Sequence, residues 1–438
     1  MPSWNDRALH FIGIGGAGMS GLALVCHRLG ARVSGSDRAE SSYIEHLRRA
    51  GLEPAVGHDA ANVPADAEVV VSTAVPEENP ELATARERGQ RVVHRGELLA
   101  ELCAERRLIA IAGTHGKTTT TAMVAWALRG IGADPAFFLG GELPAAGEAG
   151  EETNAGWGEG EWAIAEADES DASFLALRPE VAVVTNIELD HHARWSSRAE
   201  LATAFHEFVE PAKGIGALAS AELDPLLVGV SAATIARFDE SQPGPSELDL
   251  AVPGRHNLLN ARAALAAVEL AGLDTTAAAE ALRDFPGVRR RLEMVGSRDG
   301  ARVYDDYAHH PTEVRAALEA LRELGPRRLI AVFQPHLYSR TKALAEQFGA
   351  ALALADEVGV LEIYPARERP VGDLAGVSGL SVAEAAAERS GGRPVWWLVD
   401  ADRAEAALRP RLGEGDLLVT IGAGDIFELA HRLVEAGS

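Results

Sequence analysis

Cysteine is nearly absent from this chain. Only two occur in 438 residues, Cys26 and Cys103. They stand far apart and form neither a metal-ligand nor a redox spacing, so both read as reduced core residues, and a disulfide framework is excluded. Long apolar runs are lacking as well: no stretch approaches the ~18 consecutive apolar residues of a membrane-crossing helix. The first six residues, Met1 to Asp6, hold no basic stretch followed by an apolar one, so no export leader is expected and the chain reads as soluble and cytoplasmic. Basic charge is also short. Forty-one Lys and Arg stand against 65 Asp and Glu, a net charge of −24. That field repels nucleic acid and anionic lipid, so neither is expected as a partner. Any anionic substrate must be drawn in by local Arg, Lys, helix ends or metal. There is no repeat of fixed period and no low-complexity segment beyond Ala-rich helices. With 47% hydrophobic and 24% charged residues, the chain is an ordinary globular one, long enough for roughly two to four domains.

What is present is organised around Leu108-Ile-Ala-Ile-Ala-Gly-Thr-His-Gly-Lys-Thr118. The apolar run Leu108 to Ala112 predicts a short buried strand, Gly-Thr-His-Gly a tight turn, and the residues from Thr118 a helix that Gly130 can stop. A strand, a turn and a helix start aim free N–H groups and the positive helix end at one spot, which makes a phosphate site. Gly113 and Gly116 let the backbone approach an anion. Lys117 would reach the β/γ-phosphates and the Thr118 hydroxyl would hold Mg²⁺. The first glycine of the usual phosphate-loop pattern is missing, its place taken by Ile111.

Upstream, Leu9 to Ile14 predicts a strand followed by Gly13-x-Gly15-x-x-Gly18 and a helix over Met19 to Leu29, the dinucleotide-type fingerprint. A second strand, Arg32 to Asp37, ends on an acid at the usual distance for a ribose-hydroxyl reader, and a third runs over Glu68 to Val75. By itself this spelling fits an NAD-dependent oxidoreductase as well as any other nucleotide binder. Downstream, the Gly-, Glu- and Ala-rich stretch between Gly140 and Gly160 predicts a surface loop. Two further strands, Glu161 onward and Pro179 to Asn186, end in acids and histidines. Ligands of open α/β sheets gather at the carboxyl ends of strands, so Glu166, Glu169, Asp190 and His191 are expected to converge on the phosphate loop and suit a second divalent ion. His256, Asn257 and Asn260 open an Ala-rich helix, where they would either cap it or read a base. Arg289 to Arg291, three consecutive arginines in so acidic a chain, read as either a solvated hinge or a stabiliser of transferred phosphoryl charge. From about residue 293 the strand–helix alternation restarts, predicting a third α/β domain whose strand ends carry His309, His310, His336 and Arg340. These look like a docking surface for an anionic or amino-acid substrate.

Taken together the motifs closely resemble those of the Mur ligases. The blocks GIGGAGMSGLA, AGTHGKTTTTAM, EADESDASFL, TNIELDH, PGRHNLLNARAA, VRRRLE, DDYAHHPTEV, QPHLYSRT and GAGDI occur in that order between His10 and Asp425. The resemblance implies an α/β fold of three domains. These are a Rossmann-like UDP-sugar-binding domain (1–100), a central P-loop ATPase-type parallel sheet (101–290) and a Rossmann-like amino-acid-binding domain (291–438). It implies ATP-dependent joining of L-alanine to the lactoyl carboxylate of UDP-N-acetylmuramate through an acyl phosphate, by a monomer or homodimer. Mg²⁺ would be the cofactor, with Mn²⁺ as an alternative ion. A ligase attaching a preformed peptide to the same sugar nucleotide is the neighbouring reading, and QPHLYSRT speaks against it. The family pattern implies that Gly13, Gly15, Gly16, Gly18, Met19, Ser20, Ser36, Asp37, Ser72 and Thr73 bind the UDP-sugar, not NAD. Gly113, Thr114, His115, Gly116, Lys117, Thr118, Thr119, His256, Asn260 and Arg291 would bind ATP, with the metal on Thr118, Glu166 and His191. Tyr307, His309 and Arg340 would engage the amino acid and intermediate. Lys117, Glu166, His191, Arg291 and His309 would carry the catalysis. Two positions depart from the pattern of many relatives: Leu337 stands where Arg follows the QPH triplet, and Arg367 stands where YPAGE has Gly. Both bear on strictness for L-alanine over glycine or serine.

Overall fold

The computed structural model describes residues 3–146, 150, 152–188, 195, 197–231, 234–239, 248–366 and 368–435. It contains three sheets. The first joins β1 (Ala8–Ile12), β2 (Arg32–Asp37), β3 (Ala55–Val56), β4 (Glu68–Val71) and β5 (Val92–His94), all parallel, in the order β3-β2-β1-β4-β5. Parallel strands need crossovers, supplied here by α1 (Ala17–Arg28), α2 (Ser42–Arg49) and α3 (Pro80–Glu87), while α4 (Arg95–Cys103) leads out of the sheet. The strand order reverses at β1. The glycine turn after β1 and the Ser72–Thr73 turn after β4 therefore open onto the same crevice. β4 stops at Val71, four residues short of the sequence expectation.

The second sheet has seven strands in the order β12-β11-β10-β6-β9-β7-β8. They are β6 (Arg107–Ala112), β7 (Ala136–Leu143), β8 (Thr153–Trp157), β9 (Trp162–Glu166), β10 (Val181–Val184), β11 (Gly214–Leu218) and β12 (Thr234–Phe238). All pairs are parallel except β7 with β8. β6 is flanked by β10 and β9, and all three are apolar and buried, as a strand covered on both faces requires. From their carboxyl ends come the phosphate turn, Thr185–Asn186 and Glu166. The expectation of a surface loop over 140–160 is corrected here. β7 runs to Leu143 and β8 occupies 153–157, with Thr153, Asn154 and Ala155 buried. The composition misled because small residues are needed at close contacts: a Cβ on Gly156 would lie 2.5 Å from the Phe137 ring, and one on Gly21 of α1 would lie 2.9 Å from Ala155 Cβ. One large apolar core runs from Leu9 and Phe11 through Phe174, Phe205 and Phe208 to Leu226, and a smaller one around Ile12, Val69 and Leu82 covers the other face of the first sheet.

The third sheet joins β13 (Glu293–Arg298), β14 (Ala301–Asp306), β15 (Arg328–Phe333), β16 (Glu357–Leu361), β17 (Val395–Val399) and β18 (Asp416–Ile421) in the order β13-β14-β18-β15-β16-β17. Only β13 is antiparallel. Two cores, one around Leu318, Phe333 and Phe348 and one around Ile330, Leu418 and Leu429, cover its faces. Chain contacts group the molecule into two compact units, Met1–Leu250 with Leu258–Pro286, and Ala251–Asn257 with Gly287–Ser438. The first two sheets lie in one unit and the third in the other. The boundary cuts α7 (Arg255–Leu270) near its start. Among the described residues no helix is long and apolar enough to cross a membrane.

Candidate active site

The phosphate turn is built by interlocking backbones. Gly113 has φ +137° and a Cβ there would lie 2.0 Å from Thr185 Oγ1, so no other residue fits. Thr185 Oγ1 donates to the His115 carbonyl (2.6 Å), Asn186 Oδ1 accepts from His115 N (2.9 Å), and Asn186 O accepts from Thr114 N (3.2 Å). Gly116, at φ +81°, is the N-cap of α5 (Lys117–Gly130), and Asn260 packs behind it while accepting from Thr120 Oγ1 (3.3 Å). The missing first glycine has a structural reason: Ile111 lies inside β6, fully buried and paired with Glu166 and Val183. The turn starts only at Gly113 and is short.

Lys117 folds back over this turn. Its Nζ donates to Gly113 O (2.6 Å) and Thr114 O (3.2 Å) and lies 2.9 Å from the Glu169 carboxylate. Burial works against the ammonium, but Glu169, Asp168 and Glu166 outweigh it and hold Lys117 above the ordinary lysine range. Burial likewise pushes Glu169 up while Lys117 opposes it. Asp168 sits well below the usual carboxylate range: its burial is overcome by Lys117 and Arg95. Glu166, at the end of β9, takes the Thr118 hydroxyl on one oxygen (3.1 Å) and Gly140 N on the other (2.8 Å). A hydroxyl and a carboxylate at the positive end of a helix form a hard oxygen pair suited to Mg²⁺. Thr119 is buried in the first turn of α5. His115 Nε2 lies 3.1 Å from Glu188. Asp190 and His191 lie outside the described residues. The scaffolding roles of Thr185 and Asn186 were not legible in the sequence.

The upstream glycine turn differs. Gly13, at φ +79°, and Ile14 both donate to Ser36 O (2.8 and 3.0 Å), and Gly16 caps α1. Asp37 is turned inward: its Oδ2 accepts from Gly15 N (2.8 Å) and its Oδ1 from Arg38 N. It braces the loop. Met19, Ser20 and Ser36 are buried; Ser20 accepts from Asn154 Nδ2 (2.9 Å), and Ser36 Oγ donates to Glu81 (2.5 Å). Glu81 is fully buried. Burial would raise it, yet His10, Ser36, Asn62 and Asp59 N donate to it and hold it at about 2. Ser72 accepts from Ala74 N, and Thr73 is exposed.

In the second unit, Arg290 and Leu292 adopt positive φ (+60° and +47°) on either side of Arg291, so the arginine run is a fixed turn, not a solvated hinge. Arg290 binds Asp305 (3.1 Å) and Gly422 O, while Arg291 stacks on Tyr307 (5.2 Å). Tyr307 meets His309 edge-on at 5.5 Å, His309 lies 6.3 Å from His336, and Arg340 Nη1 is 3.4 Å from His336 Nδ1. Tyr364, to which no motif in the sequence gives a role, stacks on His336 (5.8 Å, 12°). Burial lowers His309 to about 4, against the opposing Glu313 carboxylate, and lowers His256, with Arg291 adding to the effect, also to about 4. His310 caps α9 (Pro311–Glu323). Leu337 precedes α10 (Tyr338–Leu352) at φ +71°, its N–H bound to Tyr364 O (3.0 Å). Arg367 lies outside the described residues. His256 belongs to this unit and Asn260 to the other.

Three family models match in sequence: the Mur ligase family catalytic domain at residues 8–107, the Mur ligase middle domain at 111–225, and the Mur ligase glutamate ligase domain at 290–424. A UDP-N-acetylmuramate–L-alanine ligase of Kineococcus radiotolerans is 47% identical, over 95% of this chain and 93% of its own. The crystal structure of the UDP-N-acetylmuramate–alanine ligase of Thermotoga maritima, 29% identical, superposes with a TM-score of 0.83 over 98% of each chain. A murein peptide ligase of Psychrobacter arcticus, 25% identical, gives 0.71 over 98% of each chain. The chain belongs to the Mur ligase family.

Proposed function

We infer that the protein joins L-alanine to the lactoyl carboxylate of UDP-N-acetylmuramate at the expense of ATP, releasing ADP and phosphate in cell-wall precursor synthesis. The observation that carries this reading is near-full-length identity of 47% to a ligase of that name. The phosphate turn supports it. A carboxylate is a poor acyl donor, so its oxygen first attacks the γ-phosphorus of ATP and ADP leaves. The amine of L-alanine then attacks the acyl phosphate, and phosphate departs from the tetrahedral intermediate as the amine loses a proton.

The residues divide this work by position. With Thr114 N and His115 N held by Asn186, the N–H groups at the start of α5 cradle phosphate oxygens, and Lys117 neutralises charge on the β/γ-phosphates as it builds. To reach them Lys117 exchanges its two carbonyl acceptors for phosphate oxygens while Glu169 keeps it protonated. Thr118 and Glu166 would hold Mg²⁺, which supplies Lewis-acid stabilisation of the transferred charge; His191 completes that set in the family pattern. Arg291 carries phosphate charge. Tyr307, His309 and Arg340 receive the amino acid. With His309 lowered to about 4, its imidazole is neutral near pH 7 and offers a lone pair and no positive charge to the incoming ammonium. ATP as substrate puts the reaction in the cytoplasm.

The test is phosphate release from ATP and Mg²⁺ with UDP-N-acetylmuramate and, in turn, L-alanine, glycine, L-serine and a tripeptide. Alanine-dependent turnover is the expected result. Turnover with the tripeptide alone would move the chain to the peptide-adding branch, and none with any acceptor would overturn the ligase reading.

A further inference from the structure

One cation in the first unit stands where both nucleotide sites approach each other. Arg95 is the first residue of α4, a position where the positive helix end disfavours it. It is held there by two carboxylates of the segment after β9: Nη2 donates to Asp168 (2.8 Å) and to Asp171 (3.0 Å). Both acids follow β9 and Glu166, and Asp168 also acts on Lys117. With Nη2 committed to these two acids, Nη1 is left to face another way. Nη1 points at the first turn of α1, where a Cβ built on Gly18 would lie 3.0 Å from it. Despite burial, the two aspartates hold Arg95 above its ordinary range, so its charge is permanent.

The glycine turn needs that charge. Its segment Gly13 to Gly18 contains no basic residue, one of its N–H groups is taken by the Asp37 carboxylate (2.8 Å), and a dianionic diphosphate arriving beside Asp37 would be repelled. The helix N-terminus contributes only about half an elementary charge. A guanidinium fork is shaped for phosphate oxygens, and this one is held in place by two acids that orient it. We propose that Arg95 is a binding residue for the diphosphate of the UDP-sugar, presented to the α1 N-terminus by Asp168 and Asp171. The inference rests on the glycine turn being the UDP-sugar site. Because Glu169 of the same segment holds Lys117 (2.9 Å), one acidic segment orients the cations of both nucleotide sites.

The alternative is that Arg95 merely ties the first sheet to the second. The two readings separate in Arg95→Ala, Arg95→Lys and Asp171→Asn, measured with the full chain by the KM for UDP-N-acetylmuramate, the KM for ATP, the inhibition constant of UDP against the sugar nucleotide, and the thermal midpoint. Arg95→Ala is expected to raise the KM for the sugar nucleotide and the inhibition constant of UDP together, at least tenfold, with the KM for ATP changed less than about twofold. Arg95→Lys should recover part of this. Asp171→Asn, which weakens the tie but keeps the cation, should change the UDP constants much less than Arg95→Ala. Equal effects of Arg95→Ala and Asp171→Asn, confined to the thermal midpoint, would overturn the proposal. So would a loss for the full sugar nucleotide without any for UDP, which would move the contact to the lactoyl carboxylate. Gly15→Val controls the premise: if it leaves UDP binding intact, the glycine-turn reading itself fails, whereas its loss of binding with Arg95→Ala unchanged fails Arg95 alone.

Discussion

The turns at Gly13–Gly18 and at Gly113–Thr118 share a plan, since each follows a buried parallel strand and opens a helix capped by glycine. They differ in where the charge and the rigidity come from. The second carries its own cation, Lys117, and is clamped by Thr185 and Asn186 from one segment and Asn260 from another. The first has no cation and is braced from below, by Ser36 O and Asp37, with Ser36 fixed in turn by Glu81. A turn that must stabilise charge transfer needs a cation fixed beside the reacting phosphate. A turn that only holds a diphosphate can use one supplied by a neighbouring helix.

Removing the internal cation should have the largest effect. Lys117→Met is expected to lower kcat about 100-fold or more, and by leaving Glu169 buried and unpaired to cost about 3–5 kcal/mol of stability. Adding Glu169→Gln should return the thermal midpoint toward that of the parent without restoring phosphate release. Recovery of turnover in the double variant would show that Lys117 acts through folding alone.

The clamped turn should tolerate a methyl group far less than the braced one. Gly113→Ala meets Thr185 Oγ1 at 2.0 Å, so a loss of about 1–3 kcal/mol from overpacking adds to the backbone strain. Gly13→Ala has nothing within 4 Å, leaving about 1–2 kcal/mol of left-handed strain. Denaturant midpoints that rank the two in the opposite order would contradict the contrast.

Glu81 tests the bracing. Its carboxyl is held at about 2 against an ordinary 4.5, so its contribution is complete above about pH 4.5 and is lost as pH falls from there toward 2. Glu81→Gln should remove about 1.5–3 kcal/mol at neutral pH and flatten that acid limb. An unchanged limb would mean that Glu81 is not the group responsible. The smallest signal belongs to His309, lowered to about 4 from 6.5. Above pH 6.5 it is neutral whether folded or unfolded. As pH falls from 6.5 toward 4 the unfolded chain takes the proton first, and stability declines. Its ring resonances should stay unprotonated down to about pH 5; a midpoint near 6.5 would place the ring in water.

Parts of this were legible in the chain itself. Strands ending in glycine and followed by a helix, Lys117 and Thr118 at the helix start, and Glu166 at a strand end are encoded by neighbouring residues, through hydrophobic period and turn chemistry. The pairing of β7 with β8 was not, because its small residues answer to contacts distant in sequence, Gly140 to Glu166, Gly156 to Phe137 and Ala155 to Gly21 of α1. Nor was the direction of Asp37, which spacing assigns to a ribose and folding turns onto Gly15 N. The sequence by itself determined where the two glycine turns fall, each between a buried strand and a helix, and that Lys117 opens the second helix. The tertiary structure alone decided what braces the second turn and what fixes Arg95, bringing Thr185 and Asn186 to His115 and Asp168 and Asp171 to Arg95 across about 70 residues. Such pairs carry no local period; only the order of strands in a sheet makes them neighbours.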